Sequence, residues 1–197
     1  FTRDQLEVNF TPDISTRQPD RERSLTPIAE LIHRQYQQRP GNYLAFFSSF
    51  SYLNRVQETL LQQAPDLPLR AQRPGMSAEE RTAFLKAFHE DNTGVALAVL
   101  GGVFSEGIDL PGDRLIGAFV ATLGLPPFDN WHEILRQRLE QRFGAGHAYT
   151  YLIPGLQKVA QAAGRVIRTP EDTGVIWLID DRFLQPQIRN LLPAWWA

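Results

Sequence analysis

The stretch Val95-Ala-Leu-Ala-Val-Leu-Gly-Gly-Val-Phe-Ser-Glu-Gly-Ile-Asp109 decides the fold, because an entirely apolar run leads directly into a glycine-rich loop. Apolar runs of strand length, without alternating polar residues, are typical of strands that are buried on both faces. Residues 43–47, 115–120 and 175–179 have the same character. Such strands belong to parallel sheets covered by helices on each side, so these runs predict an α/β domain.

Helical patterns alternate with the apolar runs. Residues 25–36 carry apolar side chains at helical spacing, a second helix is predicted over 51–63, and 67–71 is predicted as a short strand. Ser77 and Glu80 have the spacing of a capping box, which opens another helix. A later helix has its apolar positions at Trp131, Ile134, Leu135, Leu139 and Phe143. This alternation predicts a three-layer domain with a mainly parallel central sheet.

Two parts of the chain differ in their patterning. Residues 1–23 mix Thr, Asp, Arg and Pro without sustained periodicity, and we expect a strap or linker from a preceding domain. Residues 24–197 are expected to form the folded domain. The first residue, Phe1, is not Met, which favours an excised fragment.

Composition excludes several classes of protein. The chain of 197 residues is 43% hydrophobic and 21% charged, which is the balance of an ordinary globular domain. It has no cysteine, so it forms no disulfide and holds no cysteine-bound cluster. No apolar run approaches the roughly 20 residues that cross a bilayer. We therefore expect a cytoplasmic protein without a membrane partner. A net charge of −2 does not indicate a broad basic surface.

The segment Gln161-Ala-Ala-Gly-Arg-Val-Ile-Arg168 places Gln161, Gly164, Arg165 and Arg168 at i, i+3, i+4 and i+7 of a helix predicted over 155–168. Arginine holds phosphoryl oxygens with a rigid fork of donors that stays charged at any working pH. The stripe therefore suits a polyphosphate. Spacing alone favours the alternative, a solvated helix face.

The loop over 101–112 contains four glycines, which let backbone N–H groups approach a phosphate closely. Ser105 adds a hydroxyl donor, and Asp109 is suited either to a ribose hydroxyl or to holding the loop by accepting its own N–H groups. An ordinary turn is the alternative, because a glycine-rich loop without lysine is a weak signal. Ser48 and Ser49 offer further hydroxyl donors after a predicted strand, although Ser51 in the same segment is suited to capping the next helix.

Other catalytic schemes lack their residues. The four histidines do not have the i, i+4 spacing of a helical metal site, and no G-x-S-x-G elbow is present. The chain also lacks G-x-x-x-x-G-K-[ST], so it has no lysine-bearing phosphate loop of its own. Asp180-Asp181-Arg182 is a candidate metal or ribose site, with a solvated strand end as the favoured alternative.

Taken together, residues 41–50, 101–112 and 161–168 resemble motifs IV, V and VI of superfamily 2 DNA helicases. The nearest type is the DinG/XPD-like branch, and residues 178–183 and 191–196 extend the resemblance over most of the chain. The family is a motor in which ATP lies between two RecA-like domains. The resemblance implies that this chain is the second of them, a RecA-like (P-loop NTPase-like) domain without its own P-loop.

The resemblance also implies cofactors and partners. ATP and Mg²⁺ would be shared with a missing first domain, the N-terminal helicase domain of the same chain, and that domain alone could hold an iron–sulfur cluster. Single-stranded or forked DNA would be the other partner, at the nucleoid of a bacterial cytoplasm, in DNA repair. The isolated piece would be inactive.

Site residues follow from the same resemblance, residue by residue. Motif VI implies an arginine finger at Arg165 and Arg168. The nucleotide would be contacted by Gln161, Glu106, Gly107 and Asp109. Single-stranded DNA would be contacted by Ser48, Ser49, Gly102 and Ser105. Two alternatives stay open: a non-catalytic module that binds phosphate or nucleic acid, and a free-standing hydrolase that uses Asp109 and Asp180.

Overall fold

The computed structural model describes residues 5–89, 93–104, 114–167, 169 and 171–196. Its strands are β1 (Leu6–Phe10), β2 (Asn42–Phe47), β3 (Leu69–Ala71), β4 (Gly94–Val99), β5 (Gly117–Ala121) and β6 (Gly174–Leu178). Its α-helices are α1 (Arg21–Gln38), α2 (Phe50–Gln63), α3 (Ala78–Lys86), α4 (Asn130–Phe143), α5 (Ile153–Ala163) and α6 (Pro186–Arg189). A π-helical turn, Ala148–Leu152, leads into α5, and short 3₁₀ turns follow β6.

The strands form one sheet in the order β1-β6-β5-β2-β4-β3, and every recorded pair is parallel. Successive residues of β2 alternate between two apolar clusters. Leu44 and Phe46 belong to the cluster that contains α5, whereas Tyr43, Ala45 and Phe47 belong to the cluster that contains α1 and α2. Helices therefore cover both faces of the sheet, which confirms the predicted three-layer α/β fold.

Residues 5–23, for which the sequence predicted a strap or linker, contribute a strand to the same sheet as the rest of the chain. Strand β1 pairs in parallel with β6, with Leu6 opposite Gly174 and Phe10 opposite Leu178. Helix α1 begins at Arg21. The signal was present, because Leu-Glu-Val-Asn-Phe alternates apolar and polar residues as an edge strand does.

Helix α5 ends earlier than the sequence predicted. It stops at Ala163, and the chain continues in tighter turns, with the Arg165 N–H donating to the Ala162 carbonyl at 3.3 Å. Gly164 weakens the helix at this point, and burial of Val166 and Ile167 draws the chain toward β6. The predicted helix over 155–168 is therefore wrong at its end, and Gly164 and Arg165 lie beyond the last helical residue.

Helix α4 forms where it was predicted, but its apolar positions are not buried. The exposed fraction is 66% for Trp131, 53% for Ile134 and 54% for Phe143. No α4 residue is buried by the described part of the chain. Within that same part, no helix has the length and apolar character that spanning a membrane requires.

Candidate functional site

The ends of β2 and β4 bring two predicted loops side by side. The strands are neighbours, with Phe47 opposite Val99, and the Leu100 N–H donates to the Phe47 carbonyl at 2.9 Å. Ser48 and Gly101 follow these residues directly, so both lie at the same carboxyl edge of the sheet. Ligands of parallel α/β sheets bind outside this edge.

The two serines of the first loop have different roles. Ser49 is the N-cap of α2, and its Oγ accepts the Tyr52 N–H at 3.3 Å. The alternative that Ser51 caps this helix is therefore wrong. Ser48 is exposed, and its Oγ accepts a hydrogen bond from Arg21 Nη2 at 2.8 Å. Ser48 is thus the serine whose side chain is presented at the edge.

The described start of the second loop is shaped by glycine. Gly101 has φ +78°, a left-handed conformation that favours glycine. A Cβ at Gly102 would lie 3.0 Å from the Val99 carbonyl oxygen and 3.4 Å from Gln72 Nε2. The buried Gln72 side chain in turn accepts the Val99 N–H at 2.8 Å. Both glycines therefore serve the tight geometry of the turn.

Lys158 connects this loop to α5 and was not predicted as a site residue. A Cβ at Gly101 would lie 3.5 Å from Lys158 Cδ and 3.7 Å from its Nζ, so the lysine side chain lies against the glycine. Gln161 lies three residues after Lys158 and therefore on the same side of α5, and its side chain is exposed. The spacing from Gln161 was the signal that could have identified Lys158.

Arg165 lies just beyond α5 and is partly exposed. The turn that follows is fastened by Asp172, which is 8% exposed and accepts hydrogen bonds from the Thr169 N–H and Oγ1, both at 2.8 Å. The chain that follows position 168 is therefore anchored. The remaining predicted site residues lie outside the described residues: Ser105, Glu106, Gly107, Asp109 and Arg168.

Asp180 is buried and fully engaged, which corrects the interpretation as a solvated strand end. Its carboxylate accepts the Thr16 N–H at 2.9 Å, Thr16 Oγ1 at 2.5 Å, and Arg182 Nε and Nη2 at 2.6 and 2.9 Å. Burial raises the pKa of Asp180, but the hydrogen bonds from Arg182 and Thr16 outweigh burial and leave this pKa below its usual value.

These contacts argue against the catalytic alternatives for Asp180. A carboxylate with 0% exposure and both oxygens engaged is not open to a substrate or to a metal ion. Among the described residues there is also no group of three or more His, Cys, Asp or Glu that could hold a metal. The neighbouring Asp181 accepts from Arg17 Nη1 at 2.6 Å.

Comparison with known sequences identifies relatives of the chain. The family described as Helicase C-terminal domain matches residues 32–197. The ATP-dependent DNA helicase XPD of Sulfolobus acidocaldarius is 30% identical over 160 residues, covering 79% of this chain and 27% of that protein. A probable ATP-dependent helicase of Methanocaldococcus jannaschii is 30% identical over 193 residues, covering 87% of this chain and 27% of that protein. The chain thus spans about a quarter of the length of these relatives.

Solved structures share the fold. An apo structure of XPD superposes with a TM-score of 0.77 at 24% identity, covering 95% of this chain and 38% of the other. Domain 2 of the DEAD-box helicase Mss116p, bound to an RNA duplex, superposes with a TM-score of 0.56 at 16% identity, covering 95% and 58%. At these identities the likeness concerns the fold alone, and it confirms the predicted RecA-like architecture.

Proposed function

Since the chain belongs to the Helicase C-terminal domain family, in the XPD/DinG-like group of superfamily 2, we propose that it is the second motor domain of an ATP-dependent DNA helicase. The domain would act on ATP that a first RecA-like domain holds together with Mg²⁺. It would also grip single-stranded DNA at the carboxyl edge of its own sheet. Relatives that match this chain include proteins named as ATP-dependent DNA helicases.

The observation that carries this proposal is the continuity between three predicted motifs. Ser48 and Gly101 are adjacent at the sheet edge, and Lys158 joins Gly101 to the helix that carries Gln161. Arg165 follows directly after this helix. Helix α5 runs from the carboxyl edge, where Gly155 lies against the Leu123 carbonyl, to the amino end of β6, where Val166 lies against Gly174. A DNA contact near Ser48 and a nucleotide contact near Arg165 would therefore lie at the two ends of one helix, which is the arrangement that a motor coupling hydrolysis to strand movement can use.

At the nucleotide, Arg165 and Arg168 would stabilise the charge that develops on the γ-phosphate, and Gln161 would line the same cleft. Guanidinium groups suit this role because they present fixed donors and stay protonated. Glu106, Gly107 and Asp109 would contact the nucleotide from the motif V loop. Because the chain has no lysine-bearing phosphate loop, the nucleotide would be bound mainly by the other domain.

Arg165→Ala in the full-length protein tests the nucleotide half of the proposal. We expect DNA-stimulated ATP hydrolysis to fall by roughly 10³–10⁵-fold, the usual contribution of an arginine finger, while the affinity for single-stranded DNA stays nearly unchanged. Arg168→Ala should behave alike. Hydrolysis is measured by phosphate release with and without an oligonucleotide, and affinity by fluorescence anisotropy.

Arg142→Ala on α4 is the matched control, because it removes an exposed arginine that lies outside the three motifs. It should leave both measurements at the wild-type level. If Arg165→Ala and Arg168→Ala keep normal DNA-stimulated hydrolysis, the arginine-finger assignment is wrong. DNA binding by a wild-type protein that never hydrolyses ATP would instead favour a non-catalytic binding module.

A further inference from the structure

Arg21 lies at the sheet edge beside Ser48, in a part of the chain that precedes the Helicase C-terminal domain match. It is the first residue of α1, and its guanidinium contacts three groups. Nη2 donates to Ser48 Oγ at 2.8 Å, Nε lies 3.5 Å from the Thr16 carbonyl oxygen, and Cζ stands 5.1 Å from the centre of the Tyr52 ring. These contacts hold the guanidinium next to an exposed hydroxyl.

The charge of Arg21 is not neutralised by a carboxylate within the described residues, in contrast to that of its neighbours. Three nearby arginines form ion pairs: Arg17 with Asp181, Arg23 with Asp20, and Arg55 with Glu22. Among the described residues, the partners of Arg21 are a hydroxyl, a carbonyl and an aromatic ring. A partly exposed guanidinium held in this way keeps its full charge for another anion.

The hydrogen bond between Arg21 and Ser48 also defines what the pair can bind. A serine hydroxyl has one donor, and since Ser48 Oγ accepts from Arg21, its O–H remains available to donate. A guanidinium has five N–H donors, of which the contacts with Ser48 and Thr16 use two. The pair therefore offers donors and a positive charge, which matches a phosphate group.

We propose that Arg21 and Ser48 together bind a phosphate of the single-stranded DNA backbone. Tyr52 and the Thr16 carbonyl fix the guanidinium, so that little side-chain entropy is lost when the strand binds. This inference rests on the proposed function, because it assumes that DNA lies along the Ser48 edge. It adds a residue from the start of α1 to a surface otherwise formed by motifs IV and V.

The salt dependence of DNA binding by the full-length protein tests this inference. Fluorescence anisotropy with a labelled oligothymidine is measured over a range of salt concentrations for wild type, Arg21→Ala and Arg21→Lys. We expect Arg21→Ala to lose about tenfold in affinity, the equivalent of one charge-assisted hydrogen bond. The slope of log K against log salt should become shallower by about 0.7, the value for one phosphate contact on a single strand.

Arg55→Ala is the control, since it also removes one positive charge from this region but its guanidinium pairs with Glu22. Its slope should equal that of wild type. Arg21→Lys keeps the charge and should therefore keep the slope while losing part of the affinity. A merely structural role for Arg21 would lower affinity without changing the slope, so equal slopes for Arg21→Ala, Arg55→Ala and wild type would overturn the inference.

The two proposals fail in different ways. If the wild-type protein binds the oligonucleotide and hydrolyses ATP in response to it, but Arg21→Ala matches Arg55→Ala, only the Arg21 site is wrong. If the wild-type protein does not bind single-stranded DNA, the proposed function is wrong and the Arg21 site is wrong with it. Arg21→Ala should lose the same affinity for mixed-sequence strands as for oligothymidine, because phosphate contacts carry no sequence information.

Discussion

Arg182 and Arg21 lie at the same carboxyl edge of the sheet, close to the segment around Thr16, but they have different partners. Arg182 donates two hydrogen bonds to Asp180, which also accepts from the Thr16 N–H and hydroxyl. Arg21 donates to the Ser48 hydroxyl and lies near the Thr16 carbonyl. One arginine thus has its charge matched by a buried carboxylate, whereas the other keeps its charge beside solvent.

This difference in partners distinguishes a structural arginine, Arg182, from an arginine that is suited to binding, Arg21. A carboxylate with 0% exposure needs a positive partner, because leaving it unpaired would cost much of the free energy of folding. Arg21 does not neutralise a buried charge, since the groups that it contacts are neutral. The end of β6 should therefore control stability, and the end of β2 should control affinity for an anion.

The largest effect on stability is expected for Asp180→Ala. Removing the carboxylate leaves the Arg182 guanidinium and the Thr16 donors without their partner, which should lower the free energy of unfolding by about 3–5 kcal/mol. Urea unfolding followed by circular dichroism measures the change. Asp13→Ala, which removes an exposed carboxylate from the same segment, is the control and should change little. A loss in the free energy of unfolding below about 1 kcal/mol for Asp180→Ala would contradict the structural role given to the Arg182–Asp180 pair.

The pH dependence of stability gives a smaller effect of defined sign. The pKa of Asp180 is lowered in the folded protein, because hydrogen bonds from Arg182 and Thr16 outweigh the opposing effect of burial. Its contribution to stability is then fully present above the unfolded pKa of about 3.9 and is lost as the pH falls toward the folded pKa. The stability difference between wild type and Asp180→Asn should thus be constant near neutral pH and narrow below about pH 4. A difference that widens on acidification would mean that burial dominates.

The smallest effect on stability is expected for Arg21→Ala. An exposed hydrogen bond and a cation–π contact at the surface contribute about 0.5–1 kcal/mol each at most, and part of this is regained from water. The free energy of unfolding measured in urea should therefore change by less than about 1 kcal/mol. A loss as large as that of Asp180→Ala would remove the distinction between the two arginines and make Arg21 a structural residue.

Much of the fold was predictable because its signals are local. The apolar runs of β2, β4, β5 and β6 indicated strands buried on two faces, and the spacing of Ser77 and Glu80 indicated the capping box that opens α3. Strand β1 was missed because it is short and alternating rather than continuously apolar. The end of α5 was missed because the arginine spacing continues past Gly164 while the helix does not.

The candidate site was predictable in part. The serine and glycine loops follow strands that the sequence indicated, so their common edge could be expected. Arg21 could not be found in this way, because it lies in the predicted strap or linker, 27 residues before Ser48 in the chain. Its place beside Ser48 depends on α1 and α2 packing on the same face of the sheet.

Helix α4 shows that apolar periodicity predicts a helix without predicting its burial. Its apolar residues have the spacing of a helix that packs against a core, and the helix forms as predicted. The described residues nevertheless leave Trp131 and Ile134 more than half exposed. Periodicity reports which side chains share a face, but it does not report whether another element covers that face.

The sequence by itself determined the alternation of helices and parallel strands, the tight glycine turn after β4, and the membership of the chain in its helicase family. These depend on the spacing of residues near one another in the chain. Only the tertiary structure decided which charges are neutralised. Asp180 meets Thr16 because β1 pairs with β6, and Arg21 meets Ser48 because α1 and α2 pack together on one face of the sheet. Sheet order and helix packing bring distant residues together, and electrostatic roles follow from that proximity.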